Sequence, residues 1–270
     1  MHEPAAGAVA LSPWQLALAA ALVLIAGGIS LALRLGLEKR LAWASVRTVV
    51  QLLIIGAILK WVFALERVLP IFGVVLVMTV IAGGAAIRRS SRTFPGAIWR
   101  SVVTLILSAW LTSILVTAAI IQVDPWYKAQ YLIPLLGMIL GNALTGISLC
   151  IDQLLQTLAD KRDETEAELA HGATRWEAAR GPLAAAVRRG MIPIINSMMV
   201  VGLVSLPGMM TGQILAGADP LQAVEYQIVV MFMIAAATAM GCILVALLVY
   251  QRLFNARHQL LSELIIKRMD

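Results

Sequence analysis

Residues 226–250 read YQIVVMFMIAAATAMGCILVALLVY. This run has no charged side chain, and Glu225 and Arg252 flank it. It exceeds the roughly 20 residues that a helix needs to cross a bilayer. Strands of a membrane barrel are about 10 residues long and alternate polar with apolar, so a continuous apolar run of this length reads as a spanning helix. Six further blocks of the same character lie upstream, at residues 14–33, 41–63, 68–87, 101–121, 131–150 and 191–217. The whole chain is 60% hydrophobic and 13% charged, against about 45–50% and about 25% for a soluble domain. The fold class that follows is an all-α integral membrane protein of about seven transmembrane helices, forming a single transmembrane domain over 1–270.

Charge gives the blocks a direction. With the N-terminus outside, eighteen of the 21 Lys and Arg fall in inside segments, and Lys60, Arg67 and Lys128 fall outside. Lys and Arg concentrate on the cytoplasmic side of membrane proteins, so an odd number of spans with a cytoplasmic C-terminus is expected in a plasma (bacterial inner) membrane. The net charge of +6 is then a topology signal and not a sign of nucleic-acid binding. Trp14, Trp61, Trp126, Tyr127 and Tyr131 sit at outer span ends and Trp43 and Trp99 at inner ones, the usual place of aromatic anchors. Residues 1–13 lack the basic flank of a signal peptide, so the first block reads as a retained helix. Cys150 and Cys242 lie inside apolar blocks, with neither disulfide nor metal-type spacing.

One connection differs from the rest. Residues 151–190 carry seven of the 15 acids against six basic residues. Such a balance suits a segment that projects toward a protein better than one lying on anionic lipid. Leu154 to Ala170 is rich in helix formers. Gly172 suits a helix C-terminal cap, and Thr174 with Glu177 forms the T-x-x-E capping box of a second helix. Two helices meeting at a corner are expected.

Residues 166–174, EAELAHGAT, resemble the EAA loop of ABC importer permeases, with Glu168 where that pattern has Ala. Residues 191–217, MIPIINSMMVVGLVSLPGMMTGQILAG, are closely similar to the Fet-type permease family, as are PLLGMILGN at 134–142 and YQIVVMFMI at 226–234. That family comprises bacterial permeases linked to iron export and plant relatives linked to aluminium tolerance. The resemblance implies a separate cytoplasmic ABC ATPase that holds ATP and Mg, two copies of each chain, and docking of the ATPase on Glu166, Ala167, Gly172, Ala173 and Thr174. It also implies metal-ion export, with iron as cargo. Consistent with this, the chain contains no G-x-x-x-x-G-K-[ST] phosphate loop, and no cofactor is expected on it.

Polar groups at membrane depth invite a functional reading. No Asp or Glu lies mid-span, which argues against a buried proton relay. The sixth block is the unusual one. Pro193 and Pro207 bend helices, Pro207-Gly208 can open a non-helical stretch, and eight of the 12 methionines lie between Met191 and Met240. Met198, Gly202, Ser205, Met209 and Gln213 would share a face if the helix continues. Of these, Met198, Ser205, Met209 and Gln213, with Asn142, Asn196, Ser197, Met199 and Met210, make up the candidate substrate pathway. Helix packing through small residues explains the same pattern, and both readings stand at this point. Thioethers prefer soft metals such as Cu(I), so these residues do not by themselves select iron. No catalytic triad or metal-ligand cluster is visible, which leaves an enzyme reading without support. A free-standing carrier or a membrane-bound interaction protein are the alternatives to a permease subunit.

Overall fold

A computed structural model describes residues 12–65 and 67–268. The missing basic flank ahead of Pro13, and His2 with it, lie outside the described residues. The described residues form ten helices and one short β-ladder. Helix α1 is Pro13–Ala32, α2 Glu38–Leu65 and α3 Val68–Arg88. The fourth crossing is one helical run built from α4 (Ala97–Leu105), a π-turn at Ile106–Trp110, α5 (Leu111–Leu115) and a second π-turn at Val116–Ile120. Then come α6 (Ala129–Asp160), α7 (Arg162–Ala170), α8 (Arg175–Val200), α9 (Gly208–Leu215) and α10 (Pro220–Leu253). Six of these elements are long and apolar enough to cross a membrane.

The expected span over 191–217 is not one helix. Helix α8 stops at Val200, residues 201–207 are non-helical, and α9 restarts at Gly208. The sequence explains the stop. In a continuous helix Pro207 would lack the N–H to bond the Leu203 carbonyl and its ring would collide with it, and the residue before a proline disfavours helix. Gly202 turns the chain at φ +83°. The break and α9 still carry the chain to the end from which α10 starts, so a seventh path is made from two pieces. The loop over 151–190 also differs from expectation. No breaker follows Cys150, so α6 continues to Asp160, burying Leu154, Leu155 and Leu158. The expected helix Leu154–Ala170 is divided at Lys161.

At about 1.5 Å per residue, the 32 residues of α6 and the 34 of α10 far exceed the ~30 Å hydrocarbon thickness. Past residue 150, α6 runs on to the end of the bundle where three of the basic inside segments meet. Arg92–Thr93 pairs antiparallel with Ile266–Lys267. Asp152 accepts from the Ser91 amide at 2.7 Å and from the Ser91 hydroxyl at 2.7 Å. Arg92 reaches Asp160 at 3.2 Å, and Arg268 donates to the Ile87 carbonyl at 2.9 Å. Phe72, Trp110, Trp126 and Tyr127 form an edge-to-face aromatic chain at the opposite end.

The core is the contact of α6, α8 and α10. Gly146 and Gly190 lie against each other there, beside the buried thiols of Cys150 and Cys242. A Cβ on Gly190 would sit 2.6 Å from the Cys242 Sγ and 2.7 Å from the Gly146 carbonyl oxygen. Small residues bring helix backbones close in this way. By contrast α1 and α2 stay almost wholly exposed: only 6% of each apolar window is buried. Gly190→Ala should therefore destabilise the protein by about 1–3 kcal/mol through overpacking, while Gly181→Ala, inside the same helix with nothing within 4 Å, should stabilise it by up to about 1 kcal/mol. Thermal unfolding in detergent checks this. Equal melting temperatures for the two variants would show that the close approach is not a stability determinant.

Candidate functional site

Two places in the fold hold the sequence-derived candidates. The first is the elbow between α7 and α8, at the basic end. Helix α7 closes with the paired hydrogen bonds of a Schellman motif: Ala173 donates to the Glu168 carbonyl at 3.1 Å and Gly172 to that of Leu169 at 3.1 Å. Gly172 is left-handed at φ +97°, a conformation open to glycine because it has no Cβ. Helix α8 then opens on a reciprocal capping box. The Glu177 amide donates to the Thr174 hydroxyl at 3.3 Å, and the Thr174 amide returns a bond to the Glu177 carboxylate at 2.8 Å. The Thr174 hydroxyl donates to the same carboxylate at 2.7 Å.

These bonds stabilise the ionised form of Glu177. The Thr174 backbone N–H, and next its hydroxyl, hold the carboxyl below its ordinary value. On α7, Glu164 raises the pKa of Lys161 through a 2.8 Å bond, and Glu166 raises that of Arg162 through a 2.6 Å bond. These pairs are exposed and well screened, so they contribute little to stability. Glu166, Ala167, Gly172 and Thr174 are all exposed, and Ala173 is half-buried. His258 braces the elbow from the C-terminal tail: its Nδ1 accepts the Arg175 amide at 2.8 Å. The Arg175 amide is one of the donors a helix start leaves without an internal partner.

The second place is the break in the sixth crossing. Met198, Gly202 and Met210 line a cavity of about 320 Å³ together with Gln227 and Met231 of α10. Gln227 is 7% exposed, and its Oε1 has no hydrogen-bond partner. Gln213 lies half-buried on α9 and also carries an unpartnered Oε1. The other candidates do not converge on this cavity. Met209 packs on the core, Ser205 is exposed on the break, and Asn196, Ser197 and Met199 are exposed on α8. Asn142 is exposed on α6, its amide donating to the Met138 carbonyl at 2.9 Å. The single helical face expected for Met198, Ser205, Met209 and Gln213 is lost because the helix does not continue through residues 201–207. Among the described residues no group of three or more His, Cys, Asp or Glu is placed to hold a metal ion.

Residues 13–254 match the family described as "Uncharacterised protein family (UPF0014)". The chain belongs to UPF0014. Among UPF0014 relatives, a membrane protein of Synechocystis sp. is 40% identical over 230 residues, covering 84% of this chain and 88% of its own. The "Probable iron export permease protein FetB" of Escherichia coli is 35% identical over 247 residues, covering 91% and 93%. "Protein ALUMINUM SENSITIVE 3" of Arabidopsis thaliana is 32% identical over 244 residues, covering 90% and 88%. No solved structure matches. The resemblance to the Fet-type permeases and their plant relatives is thereby confirmed, and the chain is a multi-pass α-helical membrane protein.

The sequence reading of this UPF0014 chain missed three features. Gln227 and Met231 stand one turn apart in residues 226–234, but nothing local to α10 marks them as facing a gap between α8 and α9. His258 lies in the C-terminal tail, and no local pattern ties it to the Arg175 amide 83 positions upstream. Along the fourth crossing a stripe of hydroxyls, Ser101, Thr104, Ser108 and Thr112, is buried, and its spacing of three and four residues could have revealed it.

The elbow gives a pH prediction. A depressed carboxyl pKa contributes stability that is fully present above the ordinary carboxylate range and is lost as pH falls through the lower folded value. Amide exchange at the start of α8, corrected for its intrinsic rate, should accelerate in that acidic window. Glu177→Gln should show no such step. Superimposable profiles for both proteins would remove Glu177 as the cause.

Proposed function

We propose that this chain is the membrane-spanning permease subunit of an ABC transporter that exports a metal ion. A separate cytoplasmic ATPase, holding ATP and Mg, would drive it, with two copies of each chain. The observation that carries the reading is the mechanical continuity of α8. One helix of 26 residues, bent by Pro182 and Pro193 but unbroken, runs from the capped elbow at Thr174 to the break at Val201, so a push on the elbow would reach the cavity lined by Met198 through one continuous helix. The elbow offers a docking partner a fixed backbone corner and an exposed carboxylate at Glu166.

Iron as cargo and export as direction are supported by the printed name of the E. coli relative. An inner-membrane location, N-terminus out and C-terminus in, is supported by the charge bias and by the meeting of three basic segments at one end. Pairing of two permeases is supported by Asn142, Asn196 and Ser197. They are exposed in the single chain, whereas polar side chains within the membrane normally face protein or water. Among the described residues no Asp, Glu, Lys or Arg is buried, which disfavours a carrier that couples through a buried charge.

A reporter fused after Asp270 should be cytoplasmic; a periplasmic signal would overturn the orientation. The coupling test is a pull-down, with ATPase activity measured alongside, using the candidate ABC ATPase of the same organism. Gly172→Val places a β-branched residue at positive φ, a strain of about 1–3 kcal/mol. Glu166→Lys reverses the docking charge. Both variants should insert normally and lose ATPase capture and stimulation. Arg162→Ala breaks the Arg162–Glu166 pair yet keeps the carboxylate, and should couple normally. Full coupling in both elbow variants would sink the docking assignment.

A further inference from the structure

The three methionines beside the break come from three different helices: Met198 from α8, Met210 from α9 and Met231 from α10. Gln227, one turn before Met231, completes the polar lining with a buried amide oxygen that no protein group satisfies. Thioether sulfur and amide oxygen both present lone pairs, so this lining favours an electron-poor ligand. No acidic residue lines the cavity, so a doubly charged ion would find no countercharge there and costs more to hold than a singly charged one. Thioethers select soft cations, whereas carboxylates, carbonyls and water suit hard ones. Methionine's three rotatable bonds let the sulfurs close on a small ion.

We propose that this cavity binds a soft monovalent cation of the Cu(I) class, held by the thioethers of Met198, Met210 and Met231 with the Gln227 amide oxygen as a fourth donor. As a cargo site it would take a soft monovalent ion in place of iron, and that physiological role rests on the transport reading. Binding itself is a property of this chain alone. Two donors lie on α10 and the other two on opposite sides of residues 201–207. A shift of α8 relative to α9 therefore removes a donor and loosens the ion, which links the site to the elbow through α8.

The test uses the full chain in lipid nanodiscs, methyl-¹³C-labelled on methionine and titrated with Ag(I), a redox-stable ion of the same class. Three methyl signals, assigned by their loss in Met198→Leu, Met210→Leu and Met231→Leu, should move together and saturate at one equivalent. The exposed Met199 methyl stays in place, and Zn(II) at the same concentration moves none of them. Leucine keeps the volume and removes the sulfur, so each variant retains its melting temperature. Each should weaken Ag(I) binding by roughly tenfold or more, at least the effect of losing an outer-shell partner. Gln227→Leu has a smaller effect of the same sign. If one single variant does not fold, the two remaining methyls in each of the other variants carry the same readout. Unchanged Ag(I) affinity in the leucine variants, shifts confined to other methionines, or an equal response to Zn(II) would overturn the site. No ATPase is present, so any of these outcomes leaves the coupling assignment to its own pull-down.

Discussion

The close approach of Gly146 on α6 and Gly190 on α8, with Cys242 of α10 filling the third side, is the constraint on which the rest of the structure depends. It holds three long helices in one bundle without a cross-helix salt bridge and without room for a methyl group. Hydrophobicity cannot do this in a bilayer, because lipid tails are as apolar as leucine. Fit has to do it, and fit at this point fixes the position of α8 along its neighbours.

That position has effects at both ends of α8. Toward the basic end, Ala178, Ala179 and Leu183 are buried, while Trp176 stacks edge-on against Tyr250 and the Arg175 guanidinium lies over the same ring. The elbow therefore stands on a braced platform and not on a flexible loop. Toward the other end, α8 terminates where Pro207 and Gly202 forbid continuation, and the gap left beside α10 becomes the thioether-lined cavity. Helix α8 is thus gripped at its middle, exposed at one tip and broken at the other.

What was legible in the sequence follows the range of the interactions involved. The crossings were legible because apolar length is a property of consecutive residues. The elbow was legible because Gly172, Thr174 and Glu177 act on backbone groups within four positions of themselves. The break was visible in Pro207-Gly208 but was misplaced: the helix already stops at Val200, because a proline acts on the turn before it. The cavity was half legible. Met198 and Met210 stood out as methionines in an unusual span, but Gln227 and Met231 gain their meaning only from the packing of α10 against a gap. Met209 and Ser205 drew notice through a helical spacing that no longer applies once the helix is interrupted. His258 could not be read at all, since its partner amide lies 83 positions away.

The buried hydroxyls of the fourth crossing carry a mechanical consequence. Ser108 donates to the Thr104 carbonyl at 2.8 Å, Thr112 to that of Ser108 at 2.7 Å and Thr117 to that of Ser113 at 2.9 Å. Unlike Ser101, Thr104 and Ser113, which are buried without a hydrogen-bond partner, each of the three donating hydroxyls satisfies itself on its own helix, a habit that tends to bend helices. The side it turns to its neighbours is small and already hydrogen-bonded. A displacement of α10 along that surface would leave these three bonds intact, because the seam is polar in composition yet carries no cross-link at these positions.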